Sequence, residues 1–197
     1  MKPKENSGKK QSNRWVILIT IWTFILALTF SFLSETVVRN LQLTVAFLIL
    51  AIIVLTGIFF DIIGIAVAAS DDKSLNGMAA QKIPGAREAV MLHKNAGAVS
   101  NFCNDVIGDI CGIVSGAAGA VIVLRFIVLY PAIKAATLGI LFSSVTAAVT
   151  VGGKALGKNI AIEKADEITY EAGRFLNFIN SKTGLTLMNF DKNSRKR

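Results

Sequence analysis

Apolar residues in this chain arrive in long blocks rather than at helical or strand period. Each block is about twenty residues, the length that crosses a hydrocarbon core of ~30 Å as a helix. Residues 15–33 (WVILITIWTFILALTFSFL) carry no charge, and residues 43–67 hold one acid, Asp61. Residues 106–129 hold Asp109 and Arg125, and residues 132–153 carry only Lys134 near their start. None of the blocks alternates, and backbone in lipid must satisfy its own hydrogen bonds, so helices are expected. A hydrophobic fraction of 53% and a mean hydropathy of +0.57 agree. The expected fold is an all-α membrane protein with four transmembrane helices and a cytoplasmic juxtamembrane amphipathic helix.

Residues 1–14 are basic and resemble the opening of a signal peptide. The apolar stretch behind them exceeds the usual ~7–15 residues, and SFLSE offers no small-x-small cleavage site, so a retained anchor is expected. Basic residues partition along the chain. Lys2, Lys4, Lys9, Lys10 and Arg14 precede the first block; Lys73, Lys82, Arg87 and Lys94 separate the second from the third; nine more follow from Lys154 onward. Only Arg39 and Lys134 fall in the other two connections. The positive-inside rule then places both termini in the cytoplasm of a multi-pass plasma-membrane protein, for which the resemblance given below implies a bacterial inner membrane. The net charge of +8 reads as topology plus attraction to anionic lipid, so no nucleic-acid partner is expected.

The chemistry of catalysis is sparse. Cys103 and Cys111 show no zinc-type spacing, and His93, the sole histidine, reads as solvated. No hydrolytic triad, zinc-protease motif or phosphate loop appears, so no enzyme is expected. Between the second and third blocks, residues 70–103 form a cytoplasmic segment in which AREAVMLHK reads as a short helix. In the tail, Ala161, Ala165, Ile168, Ala172, Phe175 and Ile179 suggest a striped amphipathic helix over 159–180. The stripe suits packing beneath the membrane domain or a dimer contact, and residues 181–197 are expected to be a disordered basic tail. Gly108, Gly112, Gly116 and Gly119 put small residues at close spacing along the third block, either for packing within the bundle or for a homodimer.

Ionisable groups inside the blocks are the main functional pointers, since each costs roughly 2.5–3.5 kcal/mol at mid-bilayer. At a rise of ~1.5 Å per residue, Asp61 lies ~27 Å along its helix, near the cytoplasmic end. Asp109 sits just inside the third block from the same side, and Lys154 directly follows the fourth. These three share one level and can pair there. Arg125, ~24 Å beyond Asp109, is expected to reach the opposite surface.

The run GIFFDIIGIAVAASDDKSLNGMAAQKIPGAREAVMLHKN resembles the first helix and following segment of the cyclin M/CorC-type (CorB-type) transmembrane domain. FCNDVIGDI is similar to that family's Gly-Asn segment, and VTVGGKALGKNIAIEKADEI to its Gly-Glu motif. The likeness covers about residues 44–170, with the transmembrane domain itself at 44–158, leaving 15–33 as an extra N-terminal transmembrane helix. It implies a homodimer that moves Mg2+, and sometimes Co2+, as cargo, with no tightly bound cofactor. The implied metal set is Asp61, Asn104, Asp105 and Asp109. Asp61 stands at the family's first serine, Ile63 at its second, and Gly64 at its first acid. Asn104 and Lys158 are kept, whereas Lys154 replaces the acid of the last motif. The family's paired adenine-nucleotide-binding modules have no counterpart here. Two functions follow as expectations: divalent-cation transport or efflux, or a non-transporting scaffold or partner subunit. In the second, Lys154 replaces the cation by pairing with Asp61 or Asp109.

Overall fold

A computed structural model describes residues 42–183, the helix Thr20–Thr29, and the isolated residues Ile17 and Phe32. The expected basic segment 1–14 lies outside the described residues, as does the tail from 184 onward. The elements are α1 (Thr20–Thr29), α2 (Leu43–Ala69), α3 (Asp72–Ala80), α4 (Ala86–Lys94), α5 (Ala96–Asn101), a π-helical turn (Phe102–Ile107), α6 (Gly108–Leu129), α7 (Ala135–Glu163) and α8 (Ala165–Thr183). No strand occurs among the described residues.

Three helices are long and apolar enough to cross a membrane: α2, the continuous run Ala96–Leu129, and α7. The remaining expected span, residues 15–33, is described only as the short apolar helix α1 and two single residues. On α2, Ala46, Leu50 and Val54 are buried while Leu48, Ile52, Leu55 and Phe59 are exposed. A helix apolar on all sides fits protein on one face and lipid on the other. On α7, Ile140, Leu141, Val145, Val149 and Val151 are likewise exposed. Left in water, such area would cost about 25 cal/mol per Å².

Helix ends differ from expectation in the tail. α7 does not stop at Gly153 but continues to Glu163, so the amphipathic segment expected over 159–180 is divided at Lys164. Nothing in VGGKALGKNIAIE breaks a helix outright; each glycine costs only ~1 kcal/mol, and continuation keeps the hydrogen-bond ladder intact. Ser181, Lys182 and Thr183, expected to be disordered, complete the last turn of α8.

The chain forms two compact units, Met1–Phe59 with Asp105–Gly153, and Phe60–Asn104 with Lys154–Arg197. In the first, Ala46, Leu50 and Val54 of α2 pack on Ala118, Val121 and Ile122 of α6, flanked by Leu43, Ile58 and Phe142. A Cβ on Gly119 would lie 2.8 Å from the Phe142 ring, so this glycine sets the approach of α6 to α7. Thr56, Ser115, Ser143, Thr146 and Thr150 each donate to a carbonyl one turn back at 2.7–3.0 Å. No hydroxyl among these five is left seeking a partner in lipid.

The second unit is built where α4 meets α8. Val67, Leu92, Val99 and Cys103 form one cluster with Ala172 and Leu176 against it; Leu75, Ala89 and Val90 form another. The packed face of α8 is Ala165, Thr169, Ala172, Gly173 and Leu176, whereas Phe175 of the expected stripe is 64% exposed. Small residues win this face because the backbones nearly touch. A Cβ on Gly173 would lie 2.5 Å from the Ala89 nitrogen and 2.7 Å from the Gly85 oxygen.

The link from α3 to α4 is a tight cap. Lys82 N–H donates to the Ala79 carbonyl at 3.0 Å and Ile83 N–H to the Met78 carbonyl at 3.3 Å. Lys82 itself sits at φ 58°, the left-handed position that ends such a cap and favours glycine. Lys82→Gly is expected to stabilise the protein by about 0.5–1 kcal/mol, read as a higher melting temperature in detergent.

Candidate functional site

Asp61 lies two turns before the end of α2, and Lys154 lies in the second half of α7. Within the second unit they meet, Lys154 Nζ standing 3.2 Å from Asp61 Oδ1. The side chains are 14% exposed for Asp61 and 31% for Lys154, so both charges are largely withdrawn from solvent. Of the two acids considered for Lys154, Asp61 is the one it pairs with. Lys158, one turn further along α7, is exposed.

One turn after Asp61, Gly64 faces the π-helical turn. A Cβ there would run into Asn104 Oδ1 and lie 2.9 Å from Asn104 Cγ and 3.0 Å from Cys103 Cβ. Asn104 Nδ2 donates to Ser100 Oγ at 3.3 Å, while its Oδ1 is buried and no group donates to it. An unpartnered buried acceptor costs about 1–3 kcal/mol, and π turns recur at functional sites because they re-aim side chains in this way. Gly64→Ala is expected to displace the Asn104 amide and lower the melting temperature. Gly97→Ala, where a Cβ meets nothing within 4 Å, serves as the neutral control.

The remaining members of the implied metal set are placed differently. Asp105 lies on the π-helical turn and Asp109 in the first turn of α6, and both are exposed. Among the described residues, no group of three or more His, Cys, Asp and Glu side chains is arranged to hold a metal ion. A hard cation needs several oxygens around it. Asn104 Oδ1 is such an oxygen without a donor, and in that respect the set fits. Asp61 already faces an ammonium, and in that respect it does not.

Two further features lie outside the implied metal set. His93 is half-buried rather than solvated, with Nδ1 2.9 Å from Ser70 Oγ, and Ser70 also donates to the Val67 carbonyl at 2.9 Å. The Ser70–His93 contact ties α4 to the end of α2. Nothing in the 23-residue separation signals this pair. In the first unit, α6 and α7 leave between them an apolar groove of about 640 Å³, lined by Gly112, Gly116, Gly139, Ser143, Ala147 and Thr150 among others. A Cβ on Gly112, Gly116 or Gly139 would meet nothing within 4 Å, so among the described residues no helix closes on these small positions. Both cysteines are free thiols. No protein-family model, curated protein or solved structure matches the chain.

Proposed function

We propose that the protein is a non-transporting membrane scaffold or partner subunit, a divergent relative of the cyclin M/CorC-type domain in which the Lys154 ammonium takes the place of the cation. The observation that carries this reading is the 3.2 Å ion pair between Lys154 and Asp61. A tethered ammonium beside the carboxylate repels a divalent ion and neutralises the acid without one. The open groove lined by Gly112, Gly116 and Gly139 supports the partner role, since small residues admit a second helix at close range. In this reading the chain is a multi-pass protein of a bacterial plasma membrane with both termini cytoplasmic, and 15–33 is its fourth span. A second copy of the chain is the simplest partner.

Mn2+, a paramagnetic substitute for Mg2+, tests the reading in lipid nanodiscs. Wild-type protein and Asp61→Asn are expected to leave the free-ion electron paramagnetic resonance signal equally strong. Lys154→Ser, which bares Asp61 one turn before Gly64 and the Asn104 amide packed on it, is expected to reduce it. Wild-type binding that disappears in Asp61→Asn would sink the proposal.

The second reading, transport or efflux of Mg2+ or Co2+, is favoured by one specific observation: the buried, unpartnered Asn104 Oδ1. Under it, Lys154 leaves Asp61 when the ion enters.

A further inference from the structure

Four residues of α8 stand in one row: Glu171, Phe175, Phe178 and Lys182, at spacing 4-3-4. At 3.6 residues per turn they lie within about 60° of one another around the helix. All four are exposed, Phe175 by 64% and Phe178 by 56%. The face packed on α4, with Ala165, Thr169, Ala172 and Gly173, is a different one. Two neighbouring phenylalanines left outward form an apolar patch that needs a cover. The charges beside them are engaged locally. Glu171 pairs with Arg174 at 3.0 Å, and Lys182 Nζ lies 4.8 Å above the Phe178 ring. Exposed pairs of that kind are weak and exchange partners readily.

The order acid, phenylalanine, phenylalanine, base is its own complement when a copy is turned end for end. An antiparallel second copy sets Phe175 against Phe178 and, at both ends, Glu171 against Lys182. Both matches hold together because both pairs are centred between Leu176 and Asn177. A parallel copy would oppose Glu171 to Glu171 and Lys182 to Lys182, and like charges in register disfavour it. The direction of α8 also suits the pairing. Asp166 accepts from the Asp71 N–H, just beyond the end of α2, at 2.7 Å. Leu176, ~15 Å further along α8, packs against the cluster holding Val67, four residues before Asp71. Helix α8 therefore crosses the end of α2, a helix long and apolar enough to span the membrane, instead of running alongside it. Two copies in one membrane, related by a two-fold axis along its normal, meet antiparallel only through helices that lie across the spans.

We infer that the row Glu171, Phe175, Phe178 and Lys182 is a docking surface for a second copy of this chain, made by antiparallel pairing of two α8 helices. The four phenylalanines form its centre and two Glu171–Lys182 pairs close its ends. The surface uses none of the residues that line the groove between α6 and α7. It also stands whichever function the Asp61–Lys154 pair serves. Each α8 stays held by its own α4 through its inner face, so the pairing joins two preformed α4–α8 units.

The experiment uses the full chain in liposomes, with Cys103 and Cys111 changed to Ala and a wild-type melting temperature required of that background. Copies with Glu171→Cys and copies with Lys182→Cys are reconstituted together and oxidised. Links between 171 of one copy and 182 of the other are expected. Links between two 171 or two 182 sites are not, since like sites lie ~16 Å apart in the pair, too far for a disulfide. Same-site links in place of the mixed one, or no link, overturn the inference. Energy transfer between copies carrying donor or acceptor fluorescent proteins at the N-terminus reads the pairing with the row intact. Glu171→Lys and Lys182→Glu should each lower the dimer-to-monomer ratio about tenfold, because each opposes like charges at both ends. Lys182 lies in the last turn, away from the face packed on α4, so its variant tests the charge without disturbing the fold. Both changes together rebuild the row in reverse and should return the ratio to within about twofold of wild type. Losses that add in the double variant overturn the inference. So does transfer that is absent in wild type, or equal in wild type and all three variants, which would leave pairing to the groove alone.

Discussion

Asp61→Asn and Lys154→Met are each expected to destabilise the protein by about 2–3 kcal/mol, and the two together by less than about 1 kcal/mol. Breaking a fully buried ion pair from one side costs about 3–5 kcal/mol because it strands the other charge. The lower figure applies here because Lys154 is 31% exposed and water reaches part of its ammonium. Removing both partners strands nothing, and Asn and Met keep most of the volume. Non-additivity of about 3–5 kcal/mol, larger than the net value of the pair, is therefore the signature to seek in unfolding by SDS from mixed micelles. Additive losses would mean that the two side chains do not interact in the membrane.

Gly173→Ala is expected to cost about 3 kcal/mol, an unusually large effect for one methyl group. The new Cβ would meet backbone on every near side: Ala89 N at 2.5 Å, Gly85 O at 2.7 Å and Ala89 Cα at 2.8 Å. Side chains can rotate away, but backbone atoms in a helix cannot, so α8 must move off α4. That movement also loosens Gly85, which sits at φ 88° with Arg174 Cα against its open side. The clusters around Ala89 and Leu92 lose packing together. Limited proteolysis checks this, with cleavage expected to appear in α4 and α8 before α2. Gly77→Ala in α3, where a Cβ meets nothing within 4 Å, should instead stabilise slightly.

Much of this organisation is legible in the residues. Apolar blocks announce α2, α6 and α7 because lipid demands length and uniformity, two properties that composition records directly. Counting residues along the second and fourth blocks puts Asp61 and Lys154 at one level, and they meet at 3.2 Å. The π-helical turn at Phe102–Ile107 is not legible, because an i→i+5 bond leaves no periodic mark in six residues. Without it the orientation of Asn104 cannot be derived. The packed face of α8 is legible in part, since Ala165 and Ala172 of the expected stripe lie on it. A 4-3-4-3-4 apolar stripe carries on to Phe175, whereas close backbone contact selects Ala165, Thr169 and Gly173 at spacing four.

Magnesium flux into liposomes tests the central claim, that Lys154 occupies the cation's position, most directly. Purified protein is reconstituted with a Mg2+-sensitive dye inside, and an inward Mg2+ gradient is imposed. Wild-type protein is expected to match empty liposomes, as is the Asp61→Asn, Lys154→Met double variant. Saturable wild-type flux that is abolished by Asp61→Asn would contradict the account and establish Asp61 as part of a cation path.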